Sequence, residues 1–253
     1  MRATLALAGR ALRNSGRRPQ LLVPMLVFPS MFLAVNVGGL ERATELPGFP
    51  NAGFLDFQLA AAITQALLLG GVSAGIAVAL EIESGFFDRL VTSPVPRSAL
   101  VFGRLLATGI ISLGITGYFI VVGLLFGADF RGGVPGVALV LVIGAVAGTG
   151  FGAIGTALAL RARNASTVQG IFPIVFVVLF LSSAFFPRGL LQEPADSVAR
   201  YNPLSYIADG LRDPIISSVS AAPVVEGLVA AAAVTAAAVA LSLRALSGRL
   251  REA

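Results

Sequence analysis

The chain has 253 residues, of which 56% are hydrophobic and 12% charged, with a mean hydropathy of +0.89 and a formal charge of +5. That balance excludes a soluble globular domain of this size. All 18 basic residues are arginine, and lysine, histidine and cysteine are absent. Their absence removes the P-loop lysine, the usual zinc ligands, the Ser-His-Asp triad and any thiol nucleophile.

Residues 1–20 carry Arg2, Arg10, Arg13, Arg17 and Arg18, partly at spacings of three and four. This spacing suits a short basic helix lying on an anionic membrane surface. A cleavable signal is not expected, because the apolar run that follows is too long for a signal-peptide core and lacks a clear small-residue cleavage site.

Six uncharged runs follow: Leu21 to Leu40, Phe57 to Leu80, Leu105 to Ala128, Gly132 to Leu160, Ala165 to Pro187 and Gly227 to Leu243. At 1.5 Å per helical residue, each approaches or exceeds a hydrocarbon core of roughly 30 Å. The expectation is an all-α integral membrane protein, a single domain over 1–253 with six transmembrane helices. The fourth run exceeds the need and must tilt or break. In it, Gly144, Gly148 and Gly152 repeat at spacing four, a pattern for close helix contact that fits packing within the chain better than a dimer seam.

An even number of spans puts both termini on one side. Thirteen arginines then fall on the side of the termini and five (Arg42, Arg131, Arg188, Arg200 and Arg212) on the other. Nine of the thirteen acidic residues lie on the arginine-poor side. The positive-inside rule makes the termini cytoplasmic, and the basic balance reads as topology rather than as a nucleic-acid surface.

The stretch from Glu81 to Arg104, EIESGFFDRLVTSPVPRSALVFGR, is the longest charged interruption on the arginine-rich side. Ser84 and Gly85 can start a helix that Pro94 stops, leaving about two turns from Phe86 to Ser93. Phe86, Phe87, Leu90 and Val91 share one face, while Asp88, Arg89 and Thr92 share the other. Such a helix suits a membrane surface, a groove on a soluble partner, or an ordinary amphipathic turn between spans.

The external segment from Pro187 to Pro223 is too long for a simple turn and contains YNPLSYIADGLRDP. Asn202 can cap a helix that has Pro203 at its first position, and Pro214 is expected to end it. Leu204, Ile207, Ala208 and Leu211 line one side, while Tyr201 and Tyr206 suit the membrane interface.

The span interiors hold no Asp, Glu or Arg at mid-depth, which argues against a proton- or sodium-driven carrier. They offer scattered neutral polarity, with Gln58, Gln65, Ser112, Thr116, Tyr118 and Gln169 as candidates for a pathway. These suit an amphipathic cargo better than a small ion. The elbow-like Gly71-Val-Ser73-Ala-Gly75 lies mid-span with no histidine to act as base, and Gly148-Thr-Gly150-Phe-Gly152 has no preceding strand. Both read as small residues for packing.

Glu81 and Glu83 ending a span, then SGFFDRLVTSPVPR and a basic helix start at GRLL, resemble the first cytoplasmic loop of type-2 ABC exporter membrane domains of the daunorubicin-resistance kind. The Asn-Pro-Leu, aromatic, Asp, Arg pattern from Tyr201 to Arg212 is a second likeness. The resemblance implies a coupling helix in 81–104 that docks on a separate ATPase through Glu81, Glu83, Phe86, Phe87, Asp88, Arg89 and Leu90. It also implies short external helices in 187–223 forming a lid with Tyr201, Asn202, Pro203, Tyr206, Asp209 and Arg212. The expected assembly is two permease chains, identical or not, plus two ATPase subunits in a bacterial plasma membrane. ATP and magnesium would sit on the ATPase, and neither cofactor nor metal on this chain. Export of a hydrophobic or amphipathic drug-like molecule is the reading. The rivals are export of a lipid or glycoconjugate, and a membrane scaffold with no ATPase.

Overall fold

The computed structural model describes residues 2–92 and 95–252, all helix and connection with no strand among them. A basic helix α1 (Arg2–Gly16) leads into α2 (Pro19–Leu40), and α3 (Phe54–Glu83) crosses back to the short α4 (Phe86–Val91). Then come α5 (Arg97–Leu125), α6 (Gly133–Ala162), α7 (Ala165–Gln169), α8 (Phe172–Phe180), α9 (Ala195–Tyr201), α10 (Pro203–Ile216) and α11 (Ala221–Glu252). Among the described residues five helices are long and apolar enough to cross a membrane: Pro19–Glu45, Phe54–Glu83, Ser98–Leu125, Gly133–Ala162 and Ala221–Arg249.

The fifth uncharged run departs from expectation. In place of one span from Ala165 to Pro187, it forms α7 and α8, which together make the shorter apolar stretch Ala165–Phe180. Gly170 and Pro173 interrupt the helix, since proline offers no N–H and glycine costs helix stability. Past Phe180 the chain turns at Ser182 and Ser183, where polar groups of α10 and its cap hold it. At 1.5 Å per residue the stretch would cover about 24 Å, short of a full hydrocarbon core.

Helix α6 lies at the centre, packed on α3, α5 and α11. Glycine permits each approach. Gly144, Gly148 and Gly152 face Thr116, Ser112 and Thr108 of α5, so this stripe seals a seam inside the chain, as its sequence suggests. On another face Gly155 meets Gly71 and Gly75 of α3, so the elbow-like motif is a backbone crossing. On the third, Thr235 and Ser242 of α11 donate hydroxyl bonds to the Val146 and Ala153 carbonyls at 2.8 and 2.7 Å. Such small, polar contacts join helices where lipid is already as apolar as leucine. Within α2, which tolerates Pro24 and Pro29, Ser30 and Asn36 donate to carbonyls four residues back.

Helix α10 starts as the sequence predicts, with the Asn202 side chain accepting from the Leu204 N–H at 3.0 Å and Pro203 in the first turn. It does not stop at Pro214. It runs on to Ile216, because the Arg131 and Gly132 N–H groups reach the Ile215 and Pro214 carbonyls at 3.1 Å each.

A side chain at Gly155 has no room: its Cβ would lie 2.1 Å from the Gly71 carbonyl oxygen. Gly155→Val should therefore lower stability by at least about 1–3 kcal/mol through overpacking. Gly117→Ala, where a Cβ meets nothing within 4 Å, should not lower the thermal midpoint of the detergent-solubilised chain.

Candidate functional site

At the arginine-rich end, α3 ends and α4 begins through Gly85, whose φ of +66° is a left-handed turn that glycine adopts without strain. Ser84 does not start α4. Its hydroxyl donates to the Glu81 carbonyl and closes α3 instead. The helix itself is one and a half turns, Phe86–Val91, and the expected stop at Ser93–Pro94 lies outside the described residues.

The amphipathic face is present but points inward. Phe87 is 3% exposed, packed in a core with Val78, Ile82, Val101 and Leu105, and Val91 packs against the same group. The sequence expectation of exposed apolar anchors is thus corrected: the bundle itself supplies the groove. What α4 displays is its polar side, where Asp88, Arg89 and Thr92 are exposed.

Two guanidiniums clamp this helix. Arg10 of α1 lies 3.6 Å over the Phe86 ring, and Arg249 of α11 lies 5.2 Å over Phe87 while pairing with Asp88 at 2.8 Å. Glu81, buried at the end of α3, anchors the arrangement. It pairs with Arg104 of α5, and Arg10 donates to it at 3.3 Å and Asn14 at 3.5 Å. A carboxylate in such a place requires cationic partners. Glu83 does not serve α4: its carboxylate accepts the Ala165 N–H at 2.8 Å and, with Asn164, caps α7. One short loop is thereby tied to α1, α5, α7 and α11. Arg104 already closes the stretch read from the sequence, but the sequence gives no sign that Arg10, Asn14 and Arg249 belong to it, because their partners lie up to 161 residues away.

At the opposite end, Arg212 is 5% exposed. It pairs with Asp209, donates to the carbonyls of Phe57, Ser183 and Ala184, and stacks 3.9 Å over the Phe57 ring. Ser183 donates to Asp209, and the Asn202 amide donates to the Val178 and Leu181 carbonyls at 2.8 and 3.1 Å. Tyr206 donates to the Arg200 carbonyl beneath Arg188, whereas Tyr201 is fully outward. Of the six residues from Tyr201 to Arg212 singled out in the sequence, Asn202, Asp209 and Arg212 form one knot joining α10 to the end of α8 and the start of α3.

The pathway candidates separate. Gln58, Gln65, Ser112 and Thr116 are buried, and the Gln58 carbonyl oxygen, both Gln65 amide atoms and the Thr116 hydroxyl have no hydrogen-bond partner. Tyr118 is on the surface, its hydroxyl 3.2 Å from that of Ser30, and Gln169 is exposed at the end of α7. Those two do not line a common path with the four.

Arg212→Met should cost about 3–5 kcal/mol, since it strips three carbonyls and a carboxylate of their donor. Arg200→Gln, which removes an exposed pair with Asp196, should leave the thermal midpoint in place. Circular dichroism of the two detergent-solubilised variants makes the comparison.

The family model described as "ABC-2 type transporter" matches residues 2–216. The chain is 27% identical over 216 residues to the "Daunorubicin resistance ABC transporter permease protein DrrB1" of Streptomyces coeruleorubidus, covering 83% of this chain and 74% of that one. It is 26% identical over 210 residues to the "Putative transport permease ycf38" of Porphyra purpurea, covering 82% and 72%. The α4 hairpin and the Asn202–Arg212 knot both lie inside the matched region. With apolar membrane-crossing helices and a family match over most of its length, the chain belongs to the ABC-2 type transporter family, as its membrane-spanning transport component.

Proposed function

We propose that the chain is the permease subunit of an ATP-driven exporter, working as two permease chains with two copies of a separate ATPase that carries ATP and magnesium. The observation that carries this reading is the family match over residues 2–216 in a chain that has no lysine for a nucleotide-binding loop. The arginine-rich end faces the cytoplasm, and the stretch Ala165–Phe180 with the turn after it serves as a sixth, broken crossing. A drug-like hydrophobic or amphipathic cargo accords with the printed name of the Streptomyces relative. The helices α9 and α10 act as the outer lid, held shut by Asn202, Asp209 and Arg212.

In this reading α4 meets the ATPase through Asp88, Arg89 and Thr92, because Phe87 is spent inside the bundle. The contact is polar at its exposed surface, and buried Phe87 with half-buried Phe86 converts a push on that surface into movement of α1, α3, α5 and α11.

The test co-expresses the chain with its ATPase and measures co-purification, thermal midpoint and cargo retention in cells. Arg89→Glu should weaken co-purification at least about tenfold by setting charge against charge, with the midpoint unchanged. Phe87→Ala should instead lower chain stability by about 3–5 kcal/mol. If Arg89→Glu binds the ATPase and exports like the parent, α4 is only a connector. If a drug panel is retained equally with and without the exporter while a lipid or glycolipid vanishes from the cell surface, the cargo is lipid.

A further inference from the structure

Helix α8 is fastened at its two ends and loosely packed between them. At the end opposite the arginine-rich one, the Asn202 amide donates to the Val178 and Leu181 carbonyls, and Arg212 holds those of Ser183 and Ala184. At the arginine-rich end α8 continues from α7, whose Val168 is buried in the cluster that contains Phe87. Between these ends a cavity of about 210 Å³ separates α8 from the bundle. Leu68, Val72 and Ile154 lie on one wall, and Ile171, Val175 and Val178 on the other. Protein interiors hold few voids larger than a water molecule, and a space lined this way offers water no partner. On another side α8 rests on rings of α2, Phe28 against Phe176 and Phe32 against Phe180, contacts that slide more easily than hydrogen bonds.

What holds α7 therefore decides where α8 starts. Helix α7 has five residues, too few to stay helical alone, and its first N–H groups have no acceptor within the helix. Asn164 accepts from Ser166 and Thr167 at 2.8 and 3.2 Å, and Glu83, 82 residues before Ala165, accepts from the Ala165 N–H at 2.8 Å. A carboxylate at a helix start is favoured by the helix dipole as well. Glu83 is the last residue of α3, and α4 begins just beyond it at Phe86. The same turn of chain thus carries α4 and the cap of α7. Past α7, Gly170 and Pro173 interrupt the helix and give α8 a place to pivot.

We propose that Glu83 is a positioning residue for transport. Its bond with Ala165 makes α7 follow the end of α3, and α8 swings about Gly170 and Pro173 into or out of the cavity behind it. A displacement entering at α4 is thereby passed to the broken crossing. This rests on the reading of α4 as the place where the ATPase acts, but the link from Glu83 to α8 is a property of this chain alone.

The test has one arm on the purified full chain and one on the complex with the ATPase. The chain has no cysteine, so Val177→Cys on α8 and Val142→Cys on α6, both exposed, accept spin labels whose separation pulsed electron paramagnetic resonance reads. Glu83→Ala and Asn164→Ala should each broaden that distance distribution, while Glu83→Gln, which keeps an acceptor oxygen, should leave it narrow. In the complex, Glu83→Ala should co-purify with the ATPase like the parent yet export at least about tenfold less. Glu83→Gln should export within about threefold of the parent, the difference being the lost charge at the start of α7. If no ATPase binds the parent, the reading of α4 fails, and the labelled chain still decides the link to α8. If Glu83→Ala lowers the thermal midpoint, the Asn164→Ala distribution decides in its place. An unchanged distribution in the deciding variant, a Glu83→Gln distribution as broad as that of Glu83→Ala, or parental export by Glu83→Ala overturns the proposal.

Discussion

The arginine-rich end of this protein depends on one buried carboxylate. Glu81 closes α3 where the chain must leave the bundle, and its charge is tolerable there only because Arg104 and Arg10 reach it from α5 and α1. Those same contacts fix Arg10 over Phe86, and Arg249 completes the hold on α4 from the far end of the chain. Removing one partner of a buried ion pair typically costs about 3–5 kcal/mol, more than a helix of six residues can supply by itself. The position of α4 is therefore a property of four other helices, and a displacement of α4 is felt by all of them.

The rest of the bundle permits such coupling because it is joined by small surfaces. Around α6 the seams are made by glycine, threonine and serine rather than by interlocked large side chains, so neighbouring backbones lie close. At the other end Arg212 performs the duty that Glu81 performs at the arginine-rich end, collecting α10, the turn after α8 and the start of α3 around one charge. Each end of the bundle thus has a charged knot that joins several helices. Between them, among the described residues, the buried side chains of Gln58, Gln65 and Thr116 carry groups with no hydrogen-bond partner, and water or cargo would be their natural partners.

Local chemistry was readable in the sequence and long-range pairing was not. Asn202 followed by Pro203 marks a helix start that the structure keeps, because a cap is decided by neighbouring residues. The glycine stripe at Gly144, Gly148 and Gly152 implies a close seam within the chain, and α5 supplies it. The helix at Phe86 is equally plain from its flanking turn residues, but its direction is not. A greasy face of two phenylalanines, a leucine and a valine fits a partner, a bilayer or the parent bundle alike, and only the packing of Phe87 against Val78 and Val101 decides. Hydropathy reads Ala165 to Pro187 as one span, since Gly170, Pro173, Ser182 and Ser183 barely lower its average. Their effect is on backbone geometry, which hydropathy does not weigh. The Glu81, Arg10 and Arg104 cluster joins residues 71 apart in the chain, and no spacing rule covers that distance.

The central claim is that force from the ATPase enters through the polar surface of α4. A photo-crosslinking amino acid at Arg89, in the chain reconstituted with its ATPase, tests this most directly, with Tyr201 at the opposite end as the control position. The account predicts a crosslink to the ATPase from position 89, strengthened or weakened by ATP, and none from position 201. Crosslinks from 89 to lipid alone, with the ATPase still bound to the complex, would contradict it.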